Sequence, residues 1–405
     1  MRSLDPSGDP GTALKNGWAV ERPKWASVVE IVARRLELEP WSIHLLVGGV
    51  GSGKTTELLR IHDRLQAVAQ ESGDLTKYID VGTEQRLDRV RAGVLVALAG
   101  RRLIRAEERA RKALGGAGPT ARVLEARNAL KKLAEGYEIH VQRSDDDYGP
   151  DDYDFDEPPD YHIHYVRGVL ESPTEPLAHR IAQVLPDLRV LRAATTSSDG
   201  HVIFLFDSLD RLPAPDQFEP AVKDDVRALK DAGIGAVVVG PMRFQYGAAR
   251  AISELFENNV HFLSELEPLG DGLSFLIDVL GHRVREGVMS SETCQEIARA
   301  SGGVLRDLIS IAKGAAEEAY VAGSNAVLLD HVHRAADRFG RVRAVGLDGE
   351  QVQALRKVRE TGTLVLRGER EVTLLETRRV LDYGAGRFVV HPVIAPLLDA
   401  MTETA

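Results

Sequence analysis

Cysteine is almost absent from this sequence: Cys294 is the only one in 405 residues. A single thiol excludes an internal disulfide framework and a metal site built from cysteines. The sequence also lacks an apolar run near the roughly 18–20 residues that a membrane-spanning helix needs. Residues 1–17 are polar and contain several glycines and prolines, unlike a secretory signal. We therefore expect a cytoplasmic protein with no membrane partner.

Excess positive charge is missing as well. The chain has 51 Lys and Arg residues against 61 Asp and Glu residues, which gives a net charge of −10. A protein whose whole surface contacts nucleic acid usually has the opposite sign, because clustered Lys and Arg neutralise the phosphates. We therefore do not favour DNA as the main partner, and any DNA contact would have to be local.

Short, mostly apolar runs recur along the first two thirds of the chain and predict buried strands. These runs span residues 43–47, 77–81, 201–206, 234–239 and 260–263. Segments with helical periodicity lie between them, and residues 55–70 are one example. Strands that alternate with helices predict a parallel sheet covered by helices on both faces, so the expected fold class is α/β.

Two segments interrupt this alternation of strands and helices, and after it the sequence pattern becomes helical throughout. Residues 101–136 are dense in Ala, Leu, Arg and Glu around a glycine-rich break, which predicts two charged helices joined by a turn. Residues 144–160 crowd aspartates among prolines. Because these like charges repel and little can be buried, we expect a flexible acidic loop there. From residue 268 to about 341 the pattern is helical throughout.

The strongest motif begins directly after the first predicted strand and satisfies G-x-x-x-x-G-K-[ST], the P-loop pattern. Its glycines let the backbone wrap closely, so that N–H groups and the N-terminus of the next helix face the phosphates. Lys54 adds positive charge at the β- and γ-phosphates, and the Thr55 hydroxyl can ligate Mg²⁺. We predict an ATP site formed by Gly48, Gly49, Val50, Gly51, Ser52, Gly53, Lys54, Thr55 and Thr56.

An acidic residue ends the apolar strand at 201–206. Asp207 lies well downstream of the P-loop, at the position expected for the second protein group that holds Mg²⁺. We therefore predict ATP and Mg²⁺ as cofactors, with Thr55 and Asp207 as the metal ligands.

Residues 48–56 and 204–211 together resemble the AAA+ ATPases and the related STAND signalling ATPases. The Asp-Ser-Leu-Asp-Arg run that begins at Asp207 is nearer to the STAND pattern than to the Asp-Glu of AAA+ proteins. Residues 301–308 extend the resemblance. In AAA+ proteins a Gly-x-x-Arg at the start of a lid helix supplies an arginine that reaches the γ-phosphate, and Arg306 matches that arginine.

The resemblance implies a P-loop parallel sheet flanked by helices, followed by an all-α lid and a small winged-helix domain. In the last of these, a helix is expected at 351–359 and strands at 364–366 and 387–390. The resemblance divides the chain into four parts. They are an N-terminal tail and linker helix at 1–40, an ATPase core at 41–267 that contains the segments 101–136 and 144–160, a helical lid at 268–342, and a winged-helix-like domain at 343–405.

The residue that would activate water departs from the AAA+ pattern, since Ser208 stands where typical AAA+ proteins have a glutamate. Asp210 is the best substitute as the base. In the other interpretation Asp210 is structural and pairs with Arg211 or another arginine. Both interpretations stay open, and the expected catalytic set is Lys54, Asp210 and Arg306.

Three functions fit these features. The first is a slow regulatory ATPase whose nucleotide state controls assembly with copies of itself or docking of a protein partner; signalling or defence is suggested by resemblance alone. The second is a DNA-transaction ATPase whose winged helix binds DNA. The third is a nucleotide-binding scaffold that scarcely hydrolyses ATP. The arginines available for DNA are interleaved with acidic residues: Arg367, Arg370, Arg378, Arg379 and Arg387.

Overall fold

The computed structural model describes residues 2–113, 115, 118–137, 177–196, 200–246 and 249–401. The acidic loop predicted at 144–160 lies outside these residues. No helix in the described ranges is long and apolar enough to cross a membrane.

A parallel sheet forms the centre of the first part of the chain. In the described residues it has five strands: β1 (Ile43–Gly48), β2 (Leu75–Asp80), β3 (Val202–Asp207), β4 (Ile234–Gly240) and β5 (Val260–Leu263). Their order in the sheet is β2-β3-β4-β1-β5, and all four pairings are parallel. The carboxyl end of β1, which leads into the P-loop, and the carboxyl end of β3, which carries Asp207, therefore lie at the same edge of the sheet.

Helices cover both faces of the sheet because alternate residues of its central strands point to opposite sides. Leu45 and Val47 of β1 pack into one apolar cluster, and Leu46 packs into another. The helices of this part are α1 (Pro10–Lys15), α2 (Val29–Leu38), α3 (Lys54–Ser72), α4 (Val81–Glu84), α5 (Val94–Ala113), α6 (Ala121–Glu135), α7 (Leu177–Thr195), α8 (Phe218–Asp231) and α9 (Ala249–Leu255).

The helical pair expected at 101–136 is present as α5 and α6. Its first helix begins earlier than the charge pattern indicates, at Val94, and residues 94–100 are buried in the core next to the sheet. The pair is therefore anchored in the core and not confined to the surface.

Four helices follow the sheet: α10 (Gly270–Gly281), α11 (Ser291–Ala300), α12 (Leu305–Val321) and α13 (Leu329–Ala344). The chain then forms α14 (Gly349–Thr361), α15 (Glu369–Glu376) and the antiparallel strands β6 (Val380–Asp382) and β7 (Phe388–Val390). This helix–helix–hairpin unit is the small winged-helix domain, so the predicted fold class, with an α/β core, an all-α lid and this domain, is confirmed.

One predicted strand of the winged-helix domain is wrong. Residues 364–366 form no strand; Leu364 and Leu366 instead pack against the apolar cluster of the lid and C-terminal domain. The partner of the strand predicted at 387–390 is β6, whose three residues are all buried.

The C-terminal domain is held against the sheet domain by hydrogen bonds. Tyr246 donates to a carboxylate oxygen of Asp382 at 2.6 Å, and the Arg243 guanidinium donates to Glu376 at 2.9 Å. Residues that follow β4 are therefore in direct contact with α15 and β6.

Candidate nucleotide-binding site

The P-loop connects β1 to α3 through a tight turn at residues 49–53. Gly51 and Gly53 have φ angles of +78° and +98°, in the left-handed region that glycine adopts without strain. Gly53 is the N-cap, so the 19-residue helix α3 begins at Lys54. The backbone N–H groups of this turn and the N-terminus of a long helix together form an anion-binding arrangement.

Lys54 and Asp210 meet beneath this turn. The Lys54 ammonium donates to the carbonyl oxygens of Gly48 and Gly49, both at 2.8 Å, and it lies 2.9 Å from Oδ2 of Asp210. Both side chains are buried, with 5% and 8% exposed. Asp210 reaches this position from the short helical turn Leu209–Arg211 that follows β3. If Asp210 is a structural residue, as in the second interpretation, its ion-pair partner is Lys54 and not an arginine.

Asp207 is a buried carboxylate at the end of β3. It accepts hydrogen bonds from the Tyr78 hydroxyl at 2.9 Å and from the backbone N–H of Ser208 at 2.7 Å, and the Thr55 side chain also donates to it. Burial raises the pKa of Asp207 because it disfavours the charged form. The hydroxyl of Thr55 and the carboxylate of Asp207 are thus adjacent, and both are oxygen donors of the kind that Mg²⁺ prefers.

Ser208 follows with an unusual backbone. Its φ is +71°, which is rare for a residue other than glycine, and it is only 2% exposed. Its side chain lies near Gly82, where an added Cβ would come 3.3 Å from Ser208 Cβ. Ser208 is therefore a buried residue of the turn that joins Asp207 to Asp210.

Arg306 is placed over the P-loop by the lid. Its backbone N–H points at the carbonyl oxygen of Gly51 at 3.4 Å. A Cβ at Gly51 would lie 2.4 Å from the Cβ of Arg306, so the loop has no room for a side chain at that position. The first turn of α12 thus packs directly on the P-loop.

A cavity of about 910 Å³ collects most of these groups. Its size is within the roughly 300–1,000 Å³ typical of small-molecule sites. The predicted site residues that line it are Val50, Gly51, Gly53, Lys54, Thr55, Thr56, Asp207, Asp210 and Arg306. Gly48, Gly49 and Ser52 do not line it; Gly48 and Gly49 hold Lys54 through their carbonyls, and Ser52 is buried in the loop.

The sequence did not indicate the rest of this cavity. One wall is the N-terminal segment, predicted only as a tail and linker, which contributes Thr12, Trp18 and Val20. Another wall is apolar and comes from Phe275 of α10 and Ile309 of α12. The cavity thus combines apolar side chains with the polar groups of the P-loop, a lining typical of small-molecule sites. No local motif marks the N-terminal residues, because only the tertiary fold brings them here.

The chain matches no protein-family model and no curated protein. Its fold is similar to that of the Orc2 protein of Aeropyrum pernix, which was solved as ADPNP-ADP complexes. The two sequences are 14% identical, the similarity covers 99% of this chain and 98% of that chain, and the TM-score is 0.47. The Cdc6 protein of Pyrobaculum aerophilum is similar at 15% identity, 98% and 97% coverage and a TM-score of 0.42. The Aeropyrum pernix Orc1 protein in complex with DNA is similar at 15% identity, 97% and 96% coverage and a TM-score of 0.43. At such identities the likeness is one of fold alone.

Proposed function

We propose that this protein is a regulatory ATPase of AAA+/STAND type. It binds ATP with Mg²⁺ in the cavity, and its nucleotide state controls the lid and the C-terminal domain and, through them, assembly with further copies or docking of a protein partner. One observation carries this proposal: Lys54, Thr55, Asp207 and Arg306 come from three separate parts of the chain and line a single cavity. A glycine-rich turn of ordinary structure would not need Asp207 and Arg306 beside it.

The residues have distinct roles in this proposal. The backbone of the P-loop binds the β-phosphate, and the Lys54 ammonium interacts with the β- and γ-phosphates. Thr55 and Asp207 hold Mg²⁺, which when bound supplies charge neutralisation at the phosphate oxygens. Both residues fit that task, since a buried carboxylate and a hydroxyl lie side by side at the cavity wall.

Asp210 is the proposed base for hydrolysis. Ser208 has no carboxylate, whereas Asp210 lines the cavity and is within reach of the phosphate-binding turn. Asp210 would orient the attacking water and accept its proton. Because Asp210 must first separate from Lys54, slow turnover is expected, and a slow ATPase remains longer in its ATP-bound state.

Arg306 tests the proposed link between lid and nucleotide. Replacing it with alanine should weaken ATP binding about 10- to 100-fold, the loss expected for a hydrogen bond between charged groups. ADP binding should change little, because the contact is made to the third phosphate. Calorimetric titration with ATP and with ADP measures both affinities. Arg334→Ala is the matched control, since Arg334 is an exposed lid arginine paired with Asp330. Equal loss for ATP and ADP would make Arg306 a structural residue.

A second candidate function is DNA binding by the C-terminal domain. A groove of about 320 Å³ between α14 and the segment before α15 is lined by Lys357, Arg367 and Arg370. Glu350 and Glu371 line the same groove, and Arg370 is paired with Glu350. Three further arginines of this domain are engaged elsewhere: Arg387 with Glu267, Arg379 with backbone carbonyls, and Arg378 in the interior. The mixed charge of this groove makes DNA the less favoured function.

The salt dependence of DNA binding separates the two candidates. Three phosphate contacts would reduce affinity about 40-fold between 50 and 200 mM salt. The double variant Lys357→Glu/Arg367→Glu should then abolish binding, measured by fluorescence anisotropy with a labelled duplex. A regulatory ATPase without DNA contact predicts no binding even at 50 mM salt. ATP binding without any release of phosphate would favour the third interpretation, a scaffold.

A further inference from the structure

A buried group of ionisable residues lies next to the P-loop but does not line the nucleotide cavity. We call it the buried charge cluster. It joins the N-terminal segment, the residues after β5, the lid and the C-terminal domain, and its members are Arg22, Glu265, Asp307, Arg343, Arg378 and His391. All but Arg343 are less than one-tenth exposed. Charged residues are almost never fully buried unless they are paired, because removing each from water is costly.

Arg378 occupies a backbone position that usually belongs to glycine. Helix α15 ends with the N–H of Arg378 donating to Leu375 O and the N–H of Arg379 donating to Leu374 O, a Schellman arrangement. The residue at the left-handed position of this motif is Arg378, with φ of +57°. An arginine there is strained relative to glycine. Strain at a single residue that the surrounding structure maintains points to a task for its side chain.

The Arg378 side chain reaches the backbone of the P-loop. Its guanidinium lies 3.7 Å from Glu265 and 3.8 Å from Asp307. A Cβ at Gly49 would come 2.7 Å from Glu265 Oε1 and 3.2 Å from Arg378 Nε, so these two side chains close off one side of Gly49. Arg22 lies on the same loop and donates to the carbonyl oxygen of Ser52. The loop is therefore held in place by residues from both ends of the chain.

The ion pairs of Arg378 leave hydrogen-bonding capacity unused. Its Nε and Nη2, and Oε2 of Glu265, make no hydrogen bond within the described chain. Burial lowers the pKa of Arg378 and raises that of Glu265, because it disfavours both charged forms, and the opposite charge of each partner offsets only part of this cost. Such an arrangement is sensitive to small displacements, because a buried ion that loses its partner is strongly destabilised.

Asp307 links the same cluster to Arg306. It accepts hydrogen bonds from Arg343 at 2.6 Å and lies 3.1 Å from the His391 ring nitrogen. Asp307 immediately follows Arg306, whose backbone contacts Gly51. The first turn of α12 is thus fixed on one side by the P-loop and on the other by the C-terminal domain.

We propose that Arg378 is a positioning residue through which the C-terminal domain senses whether the nucleotide has a γ-phosphate. With Glu265 it holds the P-loop at Gly49, and with Asp307 it sets the lid turn that carries Arg306. A shift of either element changes the partners of Arg378 and so alters the seating of α15 and the hairpin. This inference rests on the proposed function, since it requires that ATP binds in the cavity.

Arg378→Gly is the test variant because glycine suits the left-handed backbone, so the side chain is removed without adding backbone strain. The preference for ATP over ADP should fall on the order of 10-fold, a typical coupling between two sites. ATP-dependent protection of residues 349–401 in hydrogen exchange should be lost, and Arg378→Lys should restore part of it. Ala385→Gly is the matched control, since Ala385 is another left-handed residue of this domain, with φ of +50°.

The positioning role of Arg378 and the proposed function can fail separately in these measurements. Wild-type ATP preference and ATP-dependent protection in Arg378→Gly would overturn the positioning role while leaving the proposed function intact. Failure of the wild-type chain to bind ATP would overturn both. If Arg378→Gly does not fold, the double variant Glu265→Gln/Arg378→Met takes its place. It removes both charges, so neither ion is left unpaired in the interior, and the same loss of ATP preference and of protection is expected.

Discussion

Replacing Lys54 with alanine is expected to abolish measurable ATP binding. Lys54 is the buried ammonium beneath the phosphate-binding turn, held by two carbonyl oxygens and Asp210. Loss of its hydrogen bonds to two phosphates should weaken affinity about 100-fold or more. Fluorescence titration with a labelled ATP analogue measures this change. Wild-type affinity in the variant would mean that the turn does not bind phosphate through Lys54.

The control for this variant must separate binding from folding. Removing the ammonium leaves the Asp210 carboxylate, which is 8% exposed, without its ion-pair partner. A buried ion without a partner typically destabilises a protein by about 3–5 kcal/mol. The double variant Lys54→Ala/Asp210→Asn removes both charges and should unfold at a higher temperature than the single variant. It should still fail to bind ATP.

Asp210→Asn is expected to bind ATP normally but to hydrolyse it slowly. Asparagine keeps the shape and an oxygen acceptor for Lys54, yet it cannot accept a proton from water. General-base catalysis is worth about 10²–10⁴ in rate, so turnover should fall by about that factor. Phosphate release at saturating ATP measures the rate, and Asp216→Asn, an exposed acid in the same region, is the control.

Parental turnover in Asp210→Asn would assign Asp210 to the second interpretation, as the structural partner of Lys54. The base would then have to come from another residue or from a neighbouring subunit. Loss of ATP binding together with turnover would also exclude a role confined to the chemical step. These two outcomes distinguish an acid that acts on water from one that only positions the lysine.

The parts of the site that lie close together in sequence could be predicted from it. Residues 48–56 are a local motif between a strand and a helix, and β1 and α3 are found on either side of it. The positions of Asp207 and Arg306 beside the P-loop could be predicted as well, because Asp207 ends a continuous apolar strand and Arg306 lies in a Gly-x-x-Arg at the start of a helix. Their roles toward Mg²⁺ and the γ-phosphate stay predictions. The strand at 260–263 has the predicted bounds, since its apolar run is short and clearly limited.

What could not be predicted depends on tertiary contacts. Asp210 pairs with Lys54, more than 150 residues away in sequence, and no spacing rule indicates that partner. The sequence suggests Arg378 only as a DNA contact, yet it is 3% exposed and lies against the P-loop. The strand at 364–366 was wrong because an apolar run has two possible uses, pairing with a strand or packing against a core. Only the surrounding fold selects between these uses.

The central claim is that this chain has one site for ATP with Mg²⁺, at the P-loop. Isothermal titration of the wild-type protein with ATP, in buffer with Mg²⁺ and again with excess EDTA, tests it most directly. We predict saturable binding of one ATP per chain with Mg²⁺ and weaker binding in EDTA, because Thr55 and Asp207 then have no metal to hold against the phosphates. Absence of saturable ATP binding by the folded wild-type chain in Mg²⁺ would contradict the claim.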